Sequence, residues 1–500
     1  MGVLVGEREL RAERTRQYAT TTFLRGALVS LGLTLLAGLV AVLYYVPAAF
    51  PWVRSVGLEF AQLRPLHTTF ASAWIFLGGL AVVHRYLQER GGLVSKPEKF
   101  RLLVQVLCWG AAGAGIFVSL LNGVFSGREY MGYHPSLSIL IAVGWVCFGW
   151  NFFRITARGF LQQPIYVTMW GVGVCFFLYT FAEQHLWLIP GVFEEPLVDT
   201  RLQWKACGTL VGSFNLFVYG TLYYVGEKLT EDRSYAQSRL AYSLFGVGLL
   251  NSFTNFAHHT YHLPQSHAVK WISFVISMIE IIILARVLFD LSAAVKKARP
   301  TSFHATRFFL SAAKWWTMAI IGSALLLSIP PLNALVHGTH VVTGHAMGSE
   351  IGIDSMALFA AVSFLLGERL QRRQRPTDCL DDGWVRTGAI GVNVASATLV
   401  TWLTISGSIT GYYRYLALPA PAWLGTAQPY LFAGAGGATA LFLVVLLWRW
   451  LPLAFLRRAA WAGDREPAGV GRQETLAAEG LATAGAEAQR TAVSTTSDLG

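Results

Sequence analysis

The stretch GTHVVTGHAM, residues 338–347, sets His345 and the thioether of Met347 two positions apart in an otherwise apolar run. Imidazole is costly in apolar surroundings unless it is hydrogen-bonded or holds a metal, and thioether sulfur is a soft metal ligand. His67, the adjacent pair His258 and His259, and the thiol of Cys207 stand in three further apolar runs. Any one of these histidines is as readily a polar contact between helices. The set, with nitrogen and sulfur donors suited to iron, copper or zinc, reads as a buried metal site.

The elements that must position them are membrane helices. Hydrophobic residues make up 54% of the 500 and charged residues 13%, and the mean hydropathy is +0.47, outside the range of water-soluble domains. A span needs about 20 apolar residues, and the sequence offers about twelve, I to XII in order: 25–47, 66–88, 102–124, 137–157, 166–188, 204–226, 238–262, 268–292, 306–330, 339–367, 387–411 and 428–455. The first lacks a small-residue cleavage site and is followed by more spans, so it is not a removable signal. The expected fold is all-α and polytopic: a cytoplasmic segment 1–24, a twelve-helix membrane domain 25–455, and a tail 456–500 whose Ala, Gly, Glu and Thr mark it as disordered.

Basic loops stay in the cytoplasm. Arg8, Arg11, Arg14 and Arg16 precede span I, and Lys96, Lys99 and Arg101, then Lys228 and Arg233, then Lys296, Lys297 and Arg299, then Arg369, Arg372, Arg373 and Arg375 follow spans II, VI, VIII and X. Both termini are therefore expected in the cytoplasm, with the chain in the inner membrane. The net charge of +11 is accounted for by topology and lipid headgroups, without a nucleic-acid partner. Counting about 1.5 Å per residue from the outer surface, His67 and Cys207 open spans II and VI, His258 and His259 close span VII, and His345 and Met347 open span X. All lie in the outer third of the bilayer. Adjacent histidines point about 100° apart on a helix, so His258 and His259 share a metal only at a distorted turn, for which Asn255 and Pro264 supply the local sequence.

The segments LRPLHTTFASAWIFLGGLAVVHRYL around His67, AHHTYHLP around His258 and His259, and GTHVVTGHAM resemble helices II, VII and X of the catalytic subunit of the haem-copper oxidase superfamily. Within it the likeness is greatest to the nitric oxide reductase and cb-type oxidase branch, over residues 20–455. The resemblance implies that His67 holds a low-spin haem, that His345 holds a high-spin haem, and that His258 and His259 hold a non-haem iron or copper. Two departures stand out. The family writes His-x-His on helix X where this chain has His345-Ala346-Met347, so Met347 either completes a His/Met low-spin haem or packs without a ligand role. QWKACGTLVGSFNLFVYGTLYY aligns with helix VI and puts Cys207 in place of a metal histidine, as a thiolate ligand or a small buried side chain.

The resemblance also bears on the reaction. Oxygen-reducing relatives carry a tyrosine on helix VI, or on helix VII six residues before the His pair, and here that position is Ser252. Nitric oxide reductases carry a helix VIII glutamate facing the non-haem metal, which VISMIEIIIL supplies as Glu280, while their helix VI glutamate falls at Val211. The expectation is a nitric oxide reductase-like enzyme making nitrous oxide, with a divergent oxygen-reducing terminal oxidase or a non-catalytic haem protein as alternatives. No Cys-x-x-Cys-His is present, so electrons are expected from a c-type cytochrome subunit, soluble cytochrome c or quinol. Of the other polar groups, Glu183 and His185 read as an interfacial cap or a replacement proton donor. His340 reads as a haem propionate contact, Glu350 and Asp354 as part of an inner proton path or a buried pair, and Lys205 as a snorkelling side chain.

Overall fold

The computed structural model describes residues 2–157, 159, 162–254, 260–297 and 304–456. Met1–Ala454 form one compact unit and Phe455–Gly500 a second; the helical bundle is the first. Its helices are α1 (Gly2–Leu43), α2 (Phe50–Ser55), α3 (Phe60–Glu89), α4 (Lys96–Leu121), α5 (Ser136–Thr156), α6 (Ile165–Glu183), α7 (Pro196–Thr230), α8 (Arg239–Thr254), α9 (His267–Lys297), α10 (His304–Ser328), α11 (Pro330–Val336), α12 (His340–Gln371), α13 (Gly383–Tyr415) and α14 (Ala422–Phe455). Among the described residues the β structure is a single bridge between Phe125 and Tyr133. The fold is all-α, as expected.

Among the described residues nine helices are long and apolar enough to cross a membrane: those containing spans I to V and IX to XII. The expected spans 204–226 and 268–292 are helical inside α7 and α9, and 238–262 is helical to Thr254, but none of the three meets that measure. For α7 the reason is its place in the bundle. It is buried along most of its length, Ala206 to Leu229, so it faces protein rather than lipid and can carry Lys205, Thr209, Ser213 and Thr221.

Local sequence sets the helix starts. Ser95 and Glu98 form a reciprocal capping box at α4, with Pro97 in the first turn, and Glu59 with Gln62 forms another at α3. Asp382 caps α13 by accepting from the Val385 N–H at 2.9 Å.

α12 is the central helix, with 89% of its most apolar stretch buried, against 22% for α4 at the rim. Gly344, Gly348 and Gly352 recur every fourth residue along it. A Cβ on Gly344 would meet Leu403 and Thr404 of α13, and Cβ atoms on Gly348 and Gly352 would collide with Ile320 and Trp316 of α10. Such small residues let helices approach where lipid gives no hydrophobic drive. Within this stripe, Gly348–Ser355 widens into a π-helical turn. The Ser355 hydroxyl donates to the Glu350 carbonyl at 2.8 Å, and the Trp74 indole of α3 donates to Ser355 Oγ at 3.0 Å. Past this turn α3 and α12 pack through Trp74 on Phe359 and Gly78 on Leu358; ahead of it the first turns of α12 lean on α13.

At the opposite end, Arg85 makes a bidentate pair with Glu368, at 2.6 and 2.8 Å, and reaches Glu89, which also takes Lys228 and the Tyr224 hydroxyl. This network ties α3, α7 and α12 together.

Candidate functional site

Each of the two described candidate histidines is held by one ring nitrogen. His67, in the second turn of α3, puts Nδ1 2.9 Å from the Thr34 carbonyl of α1, and the Thr34 hydroxyl returns a bond to the His67 carbonyl at 2.7 Å. A carbonyl can only accept, so Nδ1 carries the proton and Nε2 keeps its lone pair. The ring lies so close to α1 that a Cβ on Gly38 would sit 2.7 Å from Nδ1. His345 repeats the device. Its Nδ1 lies 2.9 Å from Ser323 Oγ on α10, and Ser323 gives its own proton to the Ile320 carbonyl, so it accepts from the ring. Metal-binding histidines are commonly oriented in this way.

Met347 stands at the junction between the first turns of α12 and its π-helical turn. His340 is exposed in the first turn, where Thr339 caps the helix and Gly407 of α13 lies against the backbone of His340 and Val341. Cys207 is buried on α7 with its sulfur 3.6 Å from Gln184 Nε2, which donates to it from the end of α6. His258 and His259 lie outside the described residues, as does the side chain of Glu280, whose backbone is in α9. Among the described residues no three His, Cys, Asp or Glu side chains gather closely enough to hold a metal ion.

The polar groups around this set are engaged in ways the sequence did not reveal. Lys205, partly exposed, pairs with Glu183 and lies 2.7 Å from the Tyr179 hydroxyl, a partner set the sequence did not show. The Thr209 hydroxyl adds a bond to Glu183 at 3.1 Å. His185 is tied through both nitrogens, to Ser138 Oγ at 2.7 Å and the Phe181 carbonyl at 2.6 Å, which removes it from ligand chemistry. Glu350 accepts from the Tyr130 hydroxyl at 3.0 Å, and Tyr130 belongs to the α4–α5 loop at the same end of the bundle as His67. At that end His262 and His337 stack with ring centroids 4.0 Å apart. Burial, then His262 and Arg414, push His337 down to about 4, and burial with Lys270 lowers His262.

The family model for cytochrome c and quinol oxidase polypeptide I matches residues 19–440. The chain belongs to that family. It is 25% identical over 386 residues to the cbb3-type cytochrome c oxidase subunit CcoN1 of Stutzerimonas stutzeri, spanning 72% of this chain and 76% of the relative. It is 26% identical to cytochrome c oxidase subunit 1 of Rhodobacter capsulatus, over 65% of this chain and 64% of that one. A heme-copper terminal oxidase dimer solved by cryo-EM superposes with a TM-score of 0.64 at 15% identity, over 88% of this chain and 85% of that one, a likeness of fold. As a polypeptide I of this family the chain is an oxidoreductase of the haem-copper class, whose subunits I bind low-spin and high-spin haem with copper.

Thr34, Gly38 and Ser323, which seat the two family histidines, carried no signal of their own in the sequence. They are ordinary small residues on apolar helices, distant in the chain from the rings they orient. Tyr130 was equally silent, because a tyrosine in a loop gives no warning that the loop turns inward.

Proposed function

We propose that the chain is a nitric oxide reductase-like member of the family, joining two nitric oxide molecules with two electrons and two protons into nitrous oxide and water. The observation that carries this reading is the contact between α7 and α8. A Cβ on Gly212 would lie 2.8 Å from Ser252 Oγ, so at the position where cb-type oxidases keep their tyrosine a serine packs directly on a glycine of α7 and supplies no phenol. A carboxyl at Glu280, in mid-span, adds the proton-carrying group that the reductase needs.

The residues fit the cofactors of the family. His67, with Met347, would hold the low-spin haem and His345 the high-spin haem; His258, His259 and Cys207 would hold the non-haem iron or copper. When bound, these groups supply one-electron transfer and an open coordination position for the gas. The protein's share is orientation: Thr34 and Ser323 fix the proton on Nδ1 of each ring, and Glu280 holds a proton for the oxygen that leaves as water. His340, at the head of α12, would meet a haem propionate. Electrons would come from a c-type cytochrome or quinol, with the chain in the inner membrane and both termini inside.

Oxygen reduction is the second reading, favoured by the two oxidase relatives and by Tyr130, a half-buried phenol brought in from outside the usual helices. Purified, reduced protein given nitric oxide without oxygen decides between them. One nitrous oxide for every two nitric oxides supports the reductase; oxygen uptake to water without nitrous oxide assigns the oxidase.

A further inference from the structure

Two carboxyl groups stand on the π-helical turn of α12, at Glu350 and Asp354. Asp354 is 1% exposed, and its Oδ1 is buried without a hydrogen-bond partner. Among the described residues the Glu350 carboxyl has one polar contact, the bond from the Tyr130 hydroxyl. Among the described residues, the groups that pack around them include no cation. α10 and α13 bring Ile320, Trp316 and Asn393 to this turn, α3 brings Trp74, and α7 brings Phe214 against the Tyr130 ring with Cys207 near it. The nearby arginines are paired elsewhere: Arg64 of α3 with Glu129 of the loop at 2.6 Å, and Arg128 of the loop with Asp199 of α7 at 2.7 Å. Two adjacent carboxylates in such a core cannot both be charged.

The loop is built to bring Tyr130 inward. Arg128 lies over the Trp187 ring at 4.6 Å and anchors one side. The Ser126 hydroxyl donates to the Met131 carbonyl at 2.8 Å, and Thr69, two residues past His67 on α3, donates to the Tyr130 carbonyl at 3.2 Å. Tyr130 itself adopts φ +60, a left-handed conformation costly for a residue with a side chain. Gly132 lets the return strand of the loop pass Pro65, where a Cβ would come within 2.7 Å. The Glu350 carboxyl beside it, together with burial, pushes the Tyr130 phenol well above its ordinary range.

We infer that the half-buried Glu350 and the buried Asp354 form a two-carboxyl site that holds an exchangeable proton, filled from the 122–135 loop through the Tyr130 hydroxyl. A proton taken up at the phenolic oxygen from the loop side releases the hydroxyl's own proton to Glu350, one in and one out. The site is tied to the end of the bundle that carries His67 and not to the far end, where the sequence alone suggested an inner path. It stands whichever gas is reduced.

Infrared difference spectra of the full chain in detergent, transferred from H2O to D2O, test it. The wild type is expected to show a protonated-carboxyl stretch that shifts on deuteration, and Glu350→Gln with Asp354→Asn to abolish it. Tyr130→Phe, which keeps the ring on Phe214, is expected to retain the band and slow its exchange on the order of a hundredfold. If the double variant does not assemble, each isosteric single variant must alter the band. A band unchanged in either single variant or surviving the double one, or wild-type exchange in Tyr130→Phe, overturns the inference.

Discussion

A bond to the proton on one imidazole nitrogen fixes the ring's tautomer and leaves the other nitrogen free to take a metal, and here a carbonyl and a hydroxyl on neighbouring helices make that bond for His67 and His345. Ser323→Ala leaves His345 Nδ1 without its acceptor. Second-shell losses of this kind cost about 10–100-fold in metal-site affinity, so this variant is expected to lose haem on prolonged dialysis while the wild type keeps it; haem per polypeptide is the readout, and equal retention would mean that Ser323 is a bystander. Gly38→Val pushes a side chain into the place of the His67 ring, and the low-spin haem absorbance is expected to disappear while the high-spin signal persists. The ligand-type residues were legible in the sequence because imidazoles in apolar runs are expensive and therefore conspicuous. Their partners were not: a threonine, a glycine and a serine acquire meaning only when α1 and α10 are packed against α3 and α12.

Helix positions were legible at the scale of the element, since capping boxes such as Ser95 with Glu98 announce themselves and apolar length marks a span. The π-helical turn was not, because it arises from the fit of Gly348 and Gly352 against Ile320 and Trp316 and from the Ser355 bond to Glu350. Gly352→Val puts new atoms into the Trp316 ring. Overpacking costs about 1–3 kcal/mol or more, so the variant is expected to melt at a lower temperature in detergent, and an unchanged melting point would show that α10 can give way. Arg85→Leu leaves the Glu368 carboxylate facing only Arg372 at 3.8 Å. The pair is partly exposed, so the loss is expected to be smaller than for a fully buried pair, and Arg85→Leu with Glu368→Leu is expected to recover much of it. A double variant no better than the single would argue that the geometry of the pair matters more than the unpaired charge.

Over the whole molecule, the basic loops support the proposed orientation with both termini inside, which is open to direct test: a membrane-impermeant thiol reagent should reach Cys379, after α12, only in permeabilised cells. Stability should also depend on pH at the His67 end. His337 in the α11–α12 loop sits at about 4, below the ordinary histidine value of about 6.5, and His262 is lowered with it. The unfolded chain therefore binds more protons in that window. Stability is complete above about 6.5 and declines as pH falls toward about 4, and His337→Gln is expected to flatten the decline in a melting-temperature series. The measurement that bears most directly on the central claim is gas stoichiometry under strict anaerobiosis, with iron and copper counted on the same purified, reduced sample. The account predicts one nitrous oxide for every two nitric oxides, abolished in Glu280→Gln; nitric oxide bound without nitrous oxide formed would contradict it.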